Sequence, residues 1–139
     1  MHREEWQPIL GGEQAARAWR VIEFIARDLR ARSGTYERDF SLSQGMSGIA
    51  VLFAYLSRAG VAGDAGEFSL QSLERAMDGA ASTPMSLGLY SGLTGVAWAA
   101  EHVHRCLFGW APEELTAQVM ELVCAQLAAP EWEGGHDLV

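Results

Sequence analysis

A nine-residue segment occurs twice in this chain, and it narrows the folds open to it. The first copy reads Leu42-Ser43-Gln44-Gly45-Met46-Ser47-Gly48-Ile49-Ala50; the second reads Leu89-Tyr90-Ser91-Gly92-Leu93-Thr94-Gly95-Val96-Ala97, an offset of 47 residues. Glycine falls on glycine twice, serine on threonine, and aliphatic on aliphatic. Each copy leads from a loop into an almost wholly apolar stretch, residues 47–58 and 94–107, read as helices. A helix that is apolar all round has to be buried on all sides. Self-similarity at such a period marks supersecondary units stacked on one another.

Helices of a second kind separate these two. Residues 13–32 place Ala15, Trp19, Ile22, Ala26 and Leu29 on one face, with Arg17, Arg20, Arg27 and Asp28 largely opposite. Residues 64–81 carry Leu70, Leu73, Met77 and Ala80 at helical spacing. Residues 112–128 begin with Pro112 in a first turn and set Glu113 and Glu114 beside the positive helix end. Leu115, Val119, Leu122 and Gln126 follow on one side, and Met120, Val123 and Leu127 widen the apolar arc. The order is outer, inner, outer, inner, outer, and no stretch alternates with period two. The expected fold class is all-α: helical hairpins that build either an open solenoid or a closed α/α toroid. Periodicity does not choose between them.

The length of 139 residues suits one domain, and 49% apolar with 20% charged residues is the composition of a folded protein. The net charge is −8, and all ten basic residues are arginine. From Glu101 onward seven carboxylates face the single Arg105, a balance that repels a phosphate backbone and argues against a nucleic-acid partner. Six arginines lie between Arg17 and Arg38, but five acids are interspersed from Glu13 to Asp39, so that stretch reads as a solvated helix face. The first twelve residues lack the apolar run of a signal peptide, and the longest apolar stretch, Ile49 to Leu56, is far short of the ~20 residues of a membrane helix. Cys106 and Cys124 are too few for a disulfide framework, so a cytoplasmic protein is expected.

After Pro130 the chain reads Glu131-Trp132-Glu133-Gly134-Gly135-His136-Asp137-Leu138-Val139. Laying Leu138 on Leu89 gives an offset of 49, so a third copy of the motif is expected to begin here. On that reading residues 1–139 are the N-terminal part of a single, truncated repeat domain, either cut from a longer protein or encoded by a gene fragment.

The segments Ser43-Gln44-Gly45-Met46-Ser47-Gly48-Ile49-Ala50 and Tyr90-Ser91-Gly92-Leu93-Thr94-Gly95-Val96-Ala97 resemble the glycine motifs that open the inner helices of lanthionine synthetase C-like (LanC-like) proteins. His136-Asp137-Leu138-Val139 is similar to the start of that family's next motif, with His136 where an aromatic residue is commoner. The resemblance covers residues 41–139. It implies a partial LanC-like α/α toroid, with Gly45, Gly48, Gly92 and Gly95 as its structural motif. It also implies a parent cyclase of lantibiotic biosynthesis, in which zinc activates a peptide cysteine thiol for addition to dehydroalanine or dehydrobutyrine, closing a thioether ring. The implied partners are a dehydrated precursor peptide and a dehydratase. The family's zinc ligands, two cysteines and a histidine, belong to its C-terminal half. No metal ligand or cofactor is therefore assigned to this chain, which is expected to be inactive alone, with zinc expected in the full-length parent. Asp137 matches a polar position that the family associates with acid–base work, beside the plainer reading that it caps a helix.

Each remaining feature has a sharp and a plain reading. Gly-x-x-Gly before a helix suggests phosphate binding, yet no Lys-Ser/Thr follows and no strand precedes, so close packing at the helix start is favoured. Cys106 and Cys124, on different helices with no paired histidine, read as small buried apolar side chains. His102 and His104 point apart at i and i+2. Glu101 and His102 are the candidates for lining a central cavity. Trp19, Trp98 and Trp110 read as core or hairpin-contact aromatics. Two rival functions stay open: an α/α-toroid glycosidase, which needs two carboxylates ~5–10 Å apart, and a non-catalytic helical-repeat scaffold. An unfinished arc of hairpins should also self-associate through its exposed edge.

Overall fold

A computed structural model describes residues 8–112, 114 and 116–128. The described residues are helical and contain no strand: α1 (Gly12–Ala31), α2 (Ser33–Tyr36), α3 (Met46–Arg58), α4 (Ala65–Ser82), α5 (Leu93–Phe108) and α6 (Ala117–Leu127). The apolar helices α3 and α5 begin at equivalent positions, with Gly45 and Gly92 as their N-caps. Gly109 ends α5 in the left-handed conformation (φ +80°), which glycine adopts without a Cβ clash, and its N–H bonds the Arg105 carbonyl. The single turn α2 was not expected from the sequence.

The helices α3, α4 and α5 pack on one another and hold the core. Phe53, at the centre of α3, is fully buried and meets the edge of Phe68 on α4, with ring centroids 4.6 Å apart. The buried stripe of α4 is made of small residues: Ala65, Ser69, Ser72 and Ala76, with Leu73 beside them. Small side chains let helices approach closely, and the buried Ser69 hydroxyl uses that closeness to donate to the Ala50 carbonyl of α3 at 2.6 Å. Farther along α4, the Phe40 ring lies directly on Gly79, where a Cβ would overlap it. Leu73 is buried as its spacing predicts, but Leu70, Met77 and Ala80 are only half-buried, and the buried serines were not expected.

The first helix is held by fewer groups. Ala26 is buried, and Ile22 and Leu29 pack beside it against the core. Arg30 pairs with Asp64, at the start of α4, while its guanidinium lies over Phe53 and Phe68 at 5.0 and 4.8 Å. That pairing, chiefly a hydrogen bond from Arg30, holds the Asp64 carboxyl below its usual range. Val21, Phe24 and Ile25 on α1 remain exposed, as do Met120, Leu122 and Leu127 on α6.

Three sequence expectations need correction. The inner helices are not buried on all sides among the described residues: Tyr55 of α3 and Trp98 and Phe108 of α5 are about half exposed. Tyr55 and Trp98 mark a partly exposed side of this helix pair. The last helix begins at Ala117 rather than in the turn after Pro112. The Met120 amide bonds the Thr116 carbonyl, and threonine is a favoured residue at a helix start. Trp19, Trp98 and Trp110 are 42%, 44% and 60% exposed, so none is a core residue.

Two measurements check this packing. A Cβ at Gly92 would run into the backbone of Ser86 and Gly88, whereas one at Gly34 meets nothing. Gly92→Ala should therefore lower stability by about 2–3 kcal/mol, and Gly34→Ala should leave it unchanged or raise it by up to ~1 kcal/mol, read from denaturant midpoints. Similar midpoints for the two variants would contradict the close approach. The lowered pKa of Asp64 means that its contribution is fully present above the unfolded-state value and is lost as pH falls through the folded one. The melting temperature of the chain should accordingly exceed that of Asp64→Asn at neutral pH, by a small margin because Asp64 is exposed. The gap should close below the usual carboxylate range; a gap that widens on acidification would contradict the Arg30 pairing.

Candidate functional site: paired glycine loops and the uncovered face of the inner helices

The two loops, residues 39–46 and 86–93, share the hydrogen bonds that join them to α3 and α5. Met46 N–H bonds the Asp39 carbonyl at 2.8 Å, and Leu93 N–H bonds the Ser86 carbonyl at 2.8 Å. The Ser47 hydroxyl donates to the Phe40 carbonyl at 2.7 Å, and the Thr94 hydroxyl donates to the Leu87 carbonyl at 2.6 Å. Each of these pairs of bonds is related by the 47-residue offset. The four glycines make the geometry possible. A Cβ at Gly45 would overlap the Asp39 carbonyl, and one at Gly92 the Ser86 carbonyl. The same holds for Gly48 against the Leu42 carbonyl and for Gly95 against the Leu89 carbonyl. The loops also touch each other, Ser43 N–H bonding the Tyr90 carbonyl at 3.0 Å, and residues 43 and 90 are equivalent positions. Close packing thus accounts for the glycines. Phosphate binding is disfavoured, because the first amide of each helix, Met46 or Leu93, already bonds a loop carbonyl and the Asp39 carboxylate lies against Gly45.

The partly exposed side of α3 and α5 carries a second pairing with the same offset. The Tyr55 hydroxyl and His102 Nε2 lie 2.9 Å apart, and residues 55 and 102 occupy equivalent positions in the two copies. The indole of Trp98 stacks on the His102 ring, with centroids 4.5 Å apart and planes 14° from parallel. One turn beyond this cluster, Arg58 and Arg105 are again equivalent, both in the last turns of their helices. Beside the first loop a cleft of about 330 Å³ is lined by Leu29, Tyr36, Leu42, Gly45, Gly48 and Leu52, among others.

The other candidate residues scatter. Glu101, next to His102 in sequence, turns to Arg105 and pairs with it at 2.9 Å, so the two cavity candidates do not join. His104 points away from His102, towards α4: it bonds the Ala100 carbonyl at 2.9 Å and borders a cleft with Glu74 and Asp78. Cys106 is half-buried, in keeping with a small apolar role, but Cys124 is exposed, contrary to expectation. Among the described residues no three His, Cys, Asp or Glu side chains are grouped so as to hold a metal ion. His136 and Asp137 lie outside the described residues. Tyr55 was not among the residues expected at a site, although continuing the 47-residue comparison along the helix sets it against His102.

A family model described as lanthionine synthetase C-like protein matches residues 36–108, more than half of the chain. That span runs from the end of α2 to the end of α5 and contains both glycine loops and the Tyr55–His102 pair. No curated protein and no solved structure matched the chain. No described helix is long and apolar enough to cross a membrane. With two glycine loops in register and a family match that encloses both, the chain belongs to the lanthionine synthetase C-like family.

Proposed function

We propose that this chain supplies the first hairpins of a toroidal cyclase that adds peptide cysteine thiols to dehydroalanine or dehydrobutyrine, forming thioether rings. The observation that carries the reading is the coincidence of the family match with the paired loops: the residues matched are those whose geometry repeats. The loops fix where α3 and α5 start and so align their partly exposed sides, which on this reading form part of the wall of a central cavity. The family match favours the cyclase over a glycosidase, and Glu101 is already engaged by Arg105.

In such an enzyme zinc would lower the pKa of the substrate thiol and hold the thiolate. The described residues of this chain do not fit that metal, since they offer no group of three ligands. The ion is therefore assigned to other parts of the protein, and no step is routed through it here. Asp137 remains the residue proposed for proton exchange in the longer parent as the thiolate adds, with helix capping as its alternative. The partners proposed are a dehydrated precursor peptide, a dehydratase acting before it, and a second copy meeting the apolar residues left exposed on α1 and α6. The reading places the protein in the cytoplasm.

The test uses a dehydrated peptide with one cysteine, followed by thiol alkylation and mass spectrometry. The 139-residue chain should bind less than one zinc per molecule and leave the thiol open to alkylation. A longer protein that contains this chain should bind one zinc and protect the thiol, and Asp137→Asn should slow that protection without moving the melting temperature. A longer protein that binds no zinc and leaves the thiol free would refute the cyclase reading.

A further inference from the structure

Trp98, His102 and Tyr55 form a continuous aromatic surface across two helices. All three side chains are partly exposed. None of the three is among the buried residues of α3 and α5. The indole stacks on the imidazole, and the Tyr55 hydroxyl meets its Nε2 edge. Two partly exposed rings and a phenol pre-set in this way lose little freedom when another ring lies against them.

The charge beside the cluster sets what it accepts. Arg58 follows Tyr55 by three residues, and Arg105 follows His102 by three, so each arginine shares a helix face with its aromatic neighbour. In a chain with a net charge of −8 this edge carries two guanidinium groups and one carboxylate, Glu101. Glu101 takes up Arg105, while Arg58 makes no ion pair among the described residues. A ring edge next to an uncommitted guanidinium complements an aromatic side chain followed by a carboxylate.

We propose that Trp98, His102, Tyr55 and Arg58 form a binding site for an acidic peptide segment, with an aromatic side chain of the peptide against the Trp98–His102 stack and a carboxylate at Arg58. The proposal rests on the reading that the protein acts on peptides, and it adds which stretch of such a peptide is held and by which residues. The site positions the peptide. It takes no part in bond making.

Fluorescence anisotropy with the complete 139-residue chain tests this. The probe is a labelled heptapeptide with one phenylalanine flanked by aspartates, compared with the same peptide carrying asparagines. The acidic peptide should bind more tightly, and its affinity should fall as salt is added. Trp98→Ala and Arg58→Gln should each weaken it by ~5-fold or more, and Trp110→Ala, at an exposed tryptophan outside the cluster, should not. Unchanged melting temperatures show that the variants remain folded; if Trp98→Ala lowers the melting temperature, Arg58→Gln decides the matter alone. Equal binding of the two peptides, or no effect of Arg58→Gln, would overturn the site. Binding that depends on Arg58 in a protein without cyclase activity would keep the site and remove the cyclase reading, so the two can fail separately.

Discussion

The structure depends on how closely a backbone carbonyl can approach the first turn of an inner helix. In both copies the chain doubles back within seven residues, so that the carbonyl of residue 39 or 86 meets the amide of residue 46 or 93. A side chain at Gly45 or Gly92 would occupy the space of that carbonyl. Three residues on, Gly48 and Gly95 admit the carbonyls of Leu42 and Leu89 in the same way. The hydroxyls of Ser47 and Thr94 then satisfy a further loop carbonyl, which would otherwise lie beside an apolar helix without a partner. The motif is therefore a backbone device. Its glycines supply room and its hydroxyl closes the loop.

Much else follows from having two such junctions side by side. The hydrogen bond from Ser43 to Tyr90 ties the loops together, so α3 and α5 leave from adjacent points. Their equivalent residues then lie level, which is why Tyr55 meets His102 and not its neighbours. The small-residue stripe of α4 seats that helix against α3, and its buried Ser69 hydroxyl bonds the Ala50 carbonyl. With one face of α3 and α5 taken up by α4 and by each other, the aromatic and arginine residues are left on the remaining face. The surface proposed to bind a peptide thus arises from the same register that sets the fold.

The legible parts of the sequence are those in which residue type and spacing act together. Gly45, Gly48, Gly92 and Gly95 announce two equivalent junctions, and the apolar stretches after them place α3 and α5 to within a residue. The fold class, the helix order and the family follow from these. Other features depend on contacts that a one-dimensional pattern does not carry. Ser69 and Ser72 count as polar in any hydropathy reading, yet both are buried where α4 needs small side chains. Gly79 looks like a weak point in a helix until Phe40 is seen to lie on it. The start of α6 departs from expectation because Pro112 carries the stronger start signal, whereas Thr116 stands where the helix begins. Glu101 and His102, adjacent in sequence, look like joint cavity candidates, but successive helix positions diverge by about 100° and the structure separates them. The Tyr55–His102 pair is hidden because the two residue types differ, although their positions are equivalent.

Amide hydrogen exchange at single-residue resolution tests the central claim, that the two loops are equivalent and joined. Met46 N–H and Leu93 N–H should be protected to a similar degree, since each bonds a loop carbonyl across a glycine junction. The decisive amide is Ser43, which lies in an exposed loop and has no helical partner. Its N–H should exchange slowly, held by the Tyr90 carbonyl of the other copy. Free exchange at Ser43, or strong protection at Met46 with none at Leu93, would show that the two copies are not joined as described.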